Sequence, residues 1–209
     1  MIAKGQTRAP DFVVGGAPVW KAFFDAAAQA EMVEALRRVV AAAPLFSPET
    51  RWGKPMSVGM TSAGRYGWYS DRSKGYRYID RHPSGAPWPP IPDPVLAVWH
   101  AVAPDARAPD CCLVNVYRAG AKMGLHQDRD EADFSQPVIS ISLGDEGLFR
   151  IGGTLRGGPT QSVWLASGDV LALREEARLA FHGIDRIRHG SSALLKGGGR
   201  INLTLRVVD

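Results

Sequence analysis

A chain of 209 residues that is 45% apolar has enough material for one well-buried core and too little for two large domains. It has no apolar run of about 18 residues, which argues against a membrane-spanning helix, and Met1 to Pro10 lacks the apolar stretch of a signal peptide. A formal charge of +4 permits a nucleic-acid partner without requiring one.

Residues 1–12 read as a short tail. Val13 to Phe24, with Gly15, Gly16 and Pro18, reads as turns leading into a short strand over Val19 to Phe24. Asp25 is a good N-cap for a helix over Ala26 to Ala42, whose Met32, Ala35, Leu36 and Val39 fall at helical spacing; Pro44 ends it. Nothing in this helix asks for more than structural support. Ser47 to Gly53 is loop, and Met56 to Ser62 fits a strand with alternating faces.

Gly64 to Gly85 interleaves Tyr66, Trp68, Tyr69, Tyr76 and Tyr78 with Arg65, Arg72, Lys74, Arg77 and Arg81. Rings that stack on bases beside cations that meet phosphates suit a single-stranded or flipped-base binder. A Tyr-rich turn region with solvated charges fits as well. Trp88 to Pro92 is a stiff connector. Asp93 then caps a second helix, with Pro94 at its first position, running to about Val102. His100 belongs to the surface of that helix, and His82 and His189 flank loops with no carboxylate at ligand spacing. The adjacent Cys111 and Cys112 lie in an apolar run, as buried thiols of a reducing, cytoplasmic compartment would.

From Cys111 onward the pattern is short strands with Gly-rich turns: Cys111 to Tyr117, Pro137 to Leu143, Leu148 to Ile151, Gln161 to Leu165, Val170 to Leu173, Arg178 to His182 and Ile201 to Val208. The fold class is mostly β with flanking helices, an α+β arrangement around a barrel or jelly roll. Residues 13–110 would form helical support and a substrate lid, and residues 111–209 the β core, within one compact domain.

The chemistry concentrates in Asn115 to Glu131. His126-Gln127-Asp128 places an imidazole and a carboxylate on one face of an extended segment. Such a step alone is weak, and a lone apolar histidine such as His182 is more often a core residue. Together with His182 and two arginines, Arg200 and Arg206, on one side of a late strand, they fit a single site. That site would hold Fe(II) on a facial triad, open on one side, beside an anion gripped by guanidinium.

The sequence resembles the AlkB family of Fe(II)/2-oxoglutarate-dependent dioxygenases, in its bacterial form. The likeness rests on N-x-Y-x-x-G-x-x-x-x-x-H-x-D-x-D-E from Asn115 to Glu131, R-L-x-F-H-G from Arg178 to Gly183, and R-x-N-L-T-x-R from Arg200 to Arg206. It reaches back to Met56 to Thr61 and Gly75 to Tyr78. The resemblance implies a double-stranded β-helix, a cupin-like jelly roll with both helices outside. It implies that His126, Asp128 and His182 bind Fe(II), that 2-oxoglutarate and O2 are co-substrates, and that Arg206 holds the far carboxylate of 2-oxoglutarate while Arg200 meets the one next to the metal. Asn115, Tyr117 and Asn202 would complete the co-substrate site.

It further implies a flipped base sandwiched by Trp68 and the His126 ring. Asp130 would meet the exocyclic amine and Tyr76 a phosphate; Arg129 and Lys122 fit further phosphate contacts and equally fit plain solvated charges. A carboxylate there favours cationic bases such as 1-methyladenine and 3-methylcytosine. The reaction would be oxidative demethylation to formaldehyde, succinate and carbon dioxide. The substrate would be alkylated single-stranded DNA, with RNA also open, and the protein a cytoplasmic monomer with no membrane partner. Leu173 stands where the bacterial pattern has Trp, and an extra residue lies between Trp68 and Tyr76, so the resemblance does not fix lid shape or lesion range. Two rivals are a 2-oxoglutarate-dependent hydroxylase of a protein, lipid or small molecule, and a non-enzymatic jelly-roll binding module.

Overall fold

The computed structural model describes residues 8–50 and 52–209; most of the expected tail lies outside them. Two sheets face each other. The larger holds seven strands in the order β1-β2-β11-β8-β13-β6-β3: β1 (Phe12–Val14), β2 (Ala17–Trp20), β11 (Val170–Leu173), β8 (Val138–Gly144), β13 (Arg200–Arg206), β6 (Cys111–Tyr117) and β3 (Val58–Gly64). The smaller holds β10 (Gln161–Leu165), β9 (Glu146–Ile151), β12 (His182–Arg188) and β7 (Met123–His126) in that order. All pairings are antiparallel. A separate hairpin joins β4 (Gly67–Asp71) to β5 (Gly75–Ile79). The large sheet thus draws strands from both sides of residue 111.

The two-residue period of the strands sorts polar from apolar. On β13, Ile201, Leu203 and Leu205 face one way, and Arg200, Asn202, Thr204 and Arg206 the other. The same division holds on β6, where Cys112 and Val114 oppose Leu113, Asn115 and Tyr117, and on β8, where Ile139 and Ile141 oppose Ser140 and Ser142. The apolar set packs under α1 (Ala26–Ala42) and α2 (Asp93–Val102), against Met32, Leu36, Val98 and Trp99. The polar set lines the space between the sheets. Apolar residues from both sheets, including Met60, Phe149, Ile151, Leu165 and Leu171, close that space as a second core. The result is a cup with apolar residues from both sheets and a row of polar groups along the large-sheet wall.

Helix α1 has the expected limits, and its Asp25 carboxylate accepts from the Ala28 amide at 2.8 Å. Helix α2 begins one residue earlier than expected: Pro92 is the extended cap residue and its carbonyl accepts from Val95, so Asp93 becomes the first helical residue. His100 lies on the exposed side of α2, and the His82 ring is buried between Ser84 and the Pro44 carbonyl.

Three expected elements are corrected. The strand over Val19 to Phe24 is instead Ala17–Trp20, because the Asp169 carboxylate pairs with Lys21 and takes the Ala22 amide, bending the chain there. Arg178 to His182 is not a strand. A short 3₁₀ turn, Glu175–Ala177, precedes Arg178, whose side chain is drawn into the interior, and the strand starts at His182. The Tyr-rich segment is the β4–β5 hairpin, turned by Asp71, which accepts from the Ser73 and Lys74 amides, and by Gly75 with φ 66°.

Both cysteines are free and fully buried on β6. Burial pushes the Cys112 thiol up to about 12, and that of Cys111 higher still, so neither forms thiolate near neutral pH. A maleimide at pH 7 should label them only as fast as the protein unfolds. Rapid native-state labelling of both would contradict this packing.

Candidate active site

His126 ends β7, and His182 opens β12 as its direct cross-strand partner. The two strands can approach because residue 183 is glycine: a Cβ there would stand 2.5 Å from the Met123 carbonyl oxygen. Gln127, between His126 and Asp128, points the other way and donates to the Leu179 carbonyl at 2.6 Å, which fixes the extended step. Asp128 therefore turns toward both rings. Each histidine Nε2 stands 3.7 Å from an Asp128 carboxylate oxygen, too far for a hydrogen bond. All three ligand atoms lie within 4.8 Å of one another.

Both imidazoles use Nδ1 on a backbone carbonyl, Gly124 for His126 and Ala180 for His182, each at 3.0 Å. That bond leaves each Nε2 lone pair aimed at the shared centre, as a carbonyl bound to the other ring nitrogen does in metal-bound histidine. Burial, with the neighbouring His126, pushes His182 down to about 4, so it is neutral near pH 7 and can donate to a metal. Burial would raise the Asp128 carboxyl, yet Arg206 and the two histidines outweigh it and hold the group well below the usual carboxylate range. Two imidazoles and one carboxylate, closed on the protein side, fit Fe(II).

These residues line a cavity of about 560 Å³. Across it stand Asn115, Tyr117, Arg200, Asn202 and Arg206. The register explains why they share one wall, since Asn202 pairs with Asn115 and Arg200 with Tyr117. The two arginines, however, occupy places opposite to those expected. The Arg206 guanidinium is the one at the triad, 3.2 Å from Asp128 Oδ2. Arg200 is fully buried away from it, giving hydrogen bonds to Ser142 Oγ at 2.8 Å and the Leu165 carbonyl at 3.1 Å. Gly147 makes its room, for a Cβ there would lie 2.9 Å from Arg200 Nε.

Among the described residues no carboxylate forms an ion pair with Arg200. Burial lowers it to about 10, which leaves it charged at neutral pH. The Nε atoms of both arginines and Oδ1 of Asn115 are buried without partners. A buried cation with no carboxylate in contact, and only the more distant Asp169 charge to favour it, is costly, so this wall suits an anionic ligand.

Arg206 is different. Its Nη1 donates to Glu131 Oε1 at 2.8 Å and to the Tyr78 hydroxyl at 2.9 Å. Arg178 completes the group, donating to Glu131 Oε2 at 3.2 Å and to the Asp128 carbonyl at 2.6 Å. Glu131, Arg178 and Tyr78 lie inside the motifs noted above but carried no assigned role there. The available signal was charge balance, because an inward arginine beside a metal carboxylate needs another anion.

At the mouth, Trp68 donates through Nε1 to Asp130 Oδ2 at 3.1 Å, and its ring lies 5.3 Å from that of Tyr76, tilted by 30°. Trp68, Tyr76, Asp130, Lys122 and His126 all border the opening. Arg129 is exposed and stands outside the cavity lining. Leu173 is buried in the cavity wall.

Facing sheets, an open His-Asp-His centre and a guanidinium wall define an Fe(II)/2-oxoglutarate-dependent dioxygenase. A sequence model of the 2OG-Fe(II) oxygenase superfamily matches residues 16–206. The chain is 56% identical over 207 residues to the alpha-ketoglutarate-dependent dioxygenase AlkB homolog of Caulobacter vibrioides, covering 99% of this chain and 91% of that one. Against alpha-ketoglutarate-dependent dioxygenase AlkB of Escherichia coli it is 37% identical over 201 residues, covering 93% and 91%. The solved structure of OsALKBH1 aligns with a TM-score of 0.78 at 30% identity, covering 94% of this chain and 99% of that one. The chain belongs to the 2OG-Fe(II) oxygenase superfamily and, within it, to the AlkB family.

The depressed His182 makes the metal-free protein sensitive to acid. The folded state resists protonation down to about pH 4, while the unfolded state takes the proton near 6.5. Stability contributed by this group is full above pH 6.5 and should fall as pH drops toward 4, by up to ~1.4 kcal/mol per pH unit. Denaturant melts of apoprotein across this window should show the slope, and His182→Gln should flatten it. Equal slopes in the two proteins would contradict the neutral buried imidazole.

Proposed function

We propose that the protein is an oxidative dealkylase of N-alkylated bases in nucleic acid, acting on 1-methyladenine- and 3-methylcytosine-type lesions in single-stranded DNA and accepting RNA. The observation that carries the reading is the mouth: a tryptophan held by a carboxylate, beside a metal-ligand histidine ring. Trp68 and His126 offer two flat faces for an extruded base. Asp130 is a hydrogen-bond acceptor and a negative charge at the base edge, favouring cationic alkylated bases over neutral ones. Tyr76, half exposed, is placed for the backbone, with Lys122 nearby. Names of relatives support nucleic acid as the substrate class: those of Arabidopsis thaliana are called DNA N(6)-methyladenine demethylases and that of Mus musculus a nucleic acid dioxygenase. Two buried free thiols are consistent with a reducing, cytoplasmic setting.

The proposed roles of the arginines follow their positions. Arg206, at the triad, would hold a carboxylate at the metal centre; Arg200, deep and with no carboxylate in contact, would hold the far carboxylate together with Ser142. Asn115 and Asn202 hold the chain of the co-substrate between them. When iron and 2-oxoglutarate are bound, their chemistry is dioxygen activation, with one oxygen atom going to succinate and the other to a C–H bond of the substrate. The protein's part is orientation and exclusion of water. Met60, Phe149, Leu165 and Leu171 keep the cup apolar, and Trp68 and Asp130 set the alkyl group over the centre. The hydroxylated alkyl carbon then leaves as an aldehyde, restoring the base.

Two variants separate the two halves of the site. Asp130→Ala should cut formaldehyde release from a methylated oligonucleotide at least tenfold, with slow uncoupled succinate formation retained. Arg200→Met should raise the KM for 2-oxoglutarate at least a hundredfold, the scale of a lost buried charge-assisted pair. The assay is product mass with methylated single- and double-stranded DNA and RNA. Iron-dependent succinate formation with no repair of any base would instead assign another substrate to the same chemistry.

A further inference from the structure

Tyr78 lies two residues beyond Tyr76 on β5, but its hydroxyl does not serve the mouth. It lies between two charges of the interior, donating to Glu131 Oε1 at 2.5 Å and accepting from Arg206 Nη1 at 2.9 Å. The other nitrogen of that guanidinium, Nη2, contacts Asp128 Oδ2, and Arg178 grips Glu131 from the far side. Glu131 has no exposed side-chain surface, and Arg206 is 5% exposed. Trp68 faces Tyr78 across the hairpin register, and its ring packs on Tyr76. The β4–β5 pairing and these hydrogen bonds therefore join the strands that carry the mouth rings to the carboxylate at the metal site. Hydrogen bonds of this length do not survive a relative shift of about an ångström. The hairpin and the guanidinium must move together or part.

We propose that Tyr78, with Glu131, is a positioning residue that ties the β4–β5 hairpin to the Arg206 guanidinium, so that 2-oxoglutarate at the metal and a nucleic-acid strand at the mouth strengthen each other's binding. The inference rests on the site assignments made above. Glu131 and Arg178 hold the guanidinium from behind. Tyr78 is its only hydrogen-bond partner from the hairpin among the described contacts. Co-substrate that fixes Arg206 also fixes the phenol, and with it the strand that carries Tyr76. By linkage the effect is reciprocal and equal in both directions.

The test compares KM for 2-oxoglutarate, read as succinate, with and without a methylated single-stranded oligonucleotide. In the wild type the oligonucleotide should lower it about fivefold or more. In Tyr78→Phe, which removes only the hydroxyl, the two values should agree. Glu131→Gln, which keeps an acceptor for the phenol, should retain more of the ratio than Glu131→Ala. A second readout needs neither turnover nor nucleic acid. In anaerobic Fe(II) protein, 2-oxoglutarate should slow amide exchange over residues 67–79 in the wild type and leave it unchanged in Tyr78→Phe. A wild-type ratio of one, or equal responses in wild type and Tyr78→Phe, overturns the link. If no methylated oligonucleotide is repaired, the substrate assignment fails on its own, and the exchange measurement still decides whether hairpin and guanidinium are joined.

Discussion

Two cations and two anions alternate inside this protein: Arg178, Glu131, Arg206 and Asp128, none more than a tenth exposed. In water such pairs would contribute little. Here each charge is tolerated only because its neighbours are present, and deleting one member of a buried pair typically costs 3–5 kcal/mol, roughly. The cluster joins the segment after β7, the turn before β12, the end of β13 and the inner side of the hairpin. It also keeps Asp128 ionised in a place where burial alone would protonate it. A metal site with a neutral acid in it would be no site, so the iron chemistry depends on this exchange of charge.

Arg200 shows the opposite condition on the same strand. It is as deeply buried as Arg206, shares its face of the pleat, and has a hydroxyl and carbonyl groups where Arg206 has carboxylates. Arg206 is compensated by carboxylates of the protein, whereas Arg200 touches none among the described residues. In the proposed binding mode a dicarboxylate would supply that charge, while the apolar outer face of β13 and the two helices hold the wall straight.

Much of this was legible in the sequence because strand periodicity is local. The alternation in Arg200 to Arg206 and in Cys111 to Tyr117 gives the inward set directly, and the H-x-D step converges for the same reason. Depth along the cup was not legible. Which arginine lies at the metal is set by where the Asp128 segment crosses the sheet, a long-range matter that the pleat of β13 does not encode. The β4–β5 hairpin escaped for another reason: its strands are rich in Tyr, Arg and Ser with no apolar alternation, and its order comes from Asp71, Gly75 and the anchorage of Tyr78. Both the short β2 and the missing strand at Arg178 adjoin a buried charge: the Asp169 carboxylate takes the Ala22 amide out of the expected ladder, and Arg178 turns its side chain inward onto the Asp128 and Gln136 carbonyls.

Three side chains from distant parts of the chain are placed to hold one iron beside an arginine that, among the described residues, touches no carboxylate. The decisive measurement is anomalous diffraction from crystals grown anaerobically with Fe(II) and 2-oxoglutarate. The expected map has a single iron peak bounded by His126 Nε2, His182 Nε2 and an Asp128 oxygen, with 2-oxoglutarate reaching from that peak to the Arg200 guanidinium. An iron peak elsewhere, or a co-substrate whose free carboxylate avoids Arg200, would contradict it.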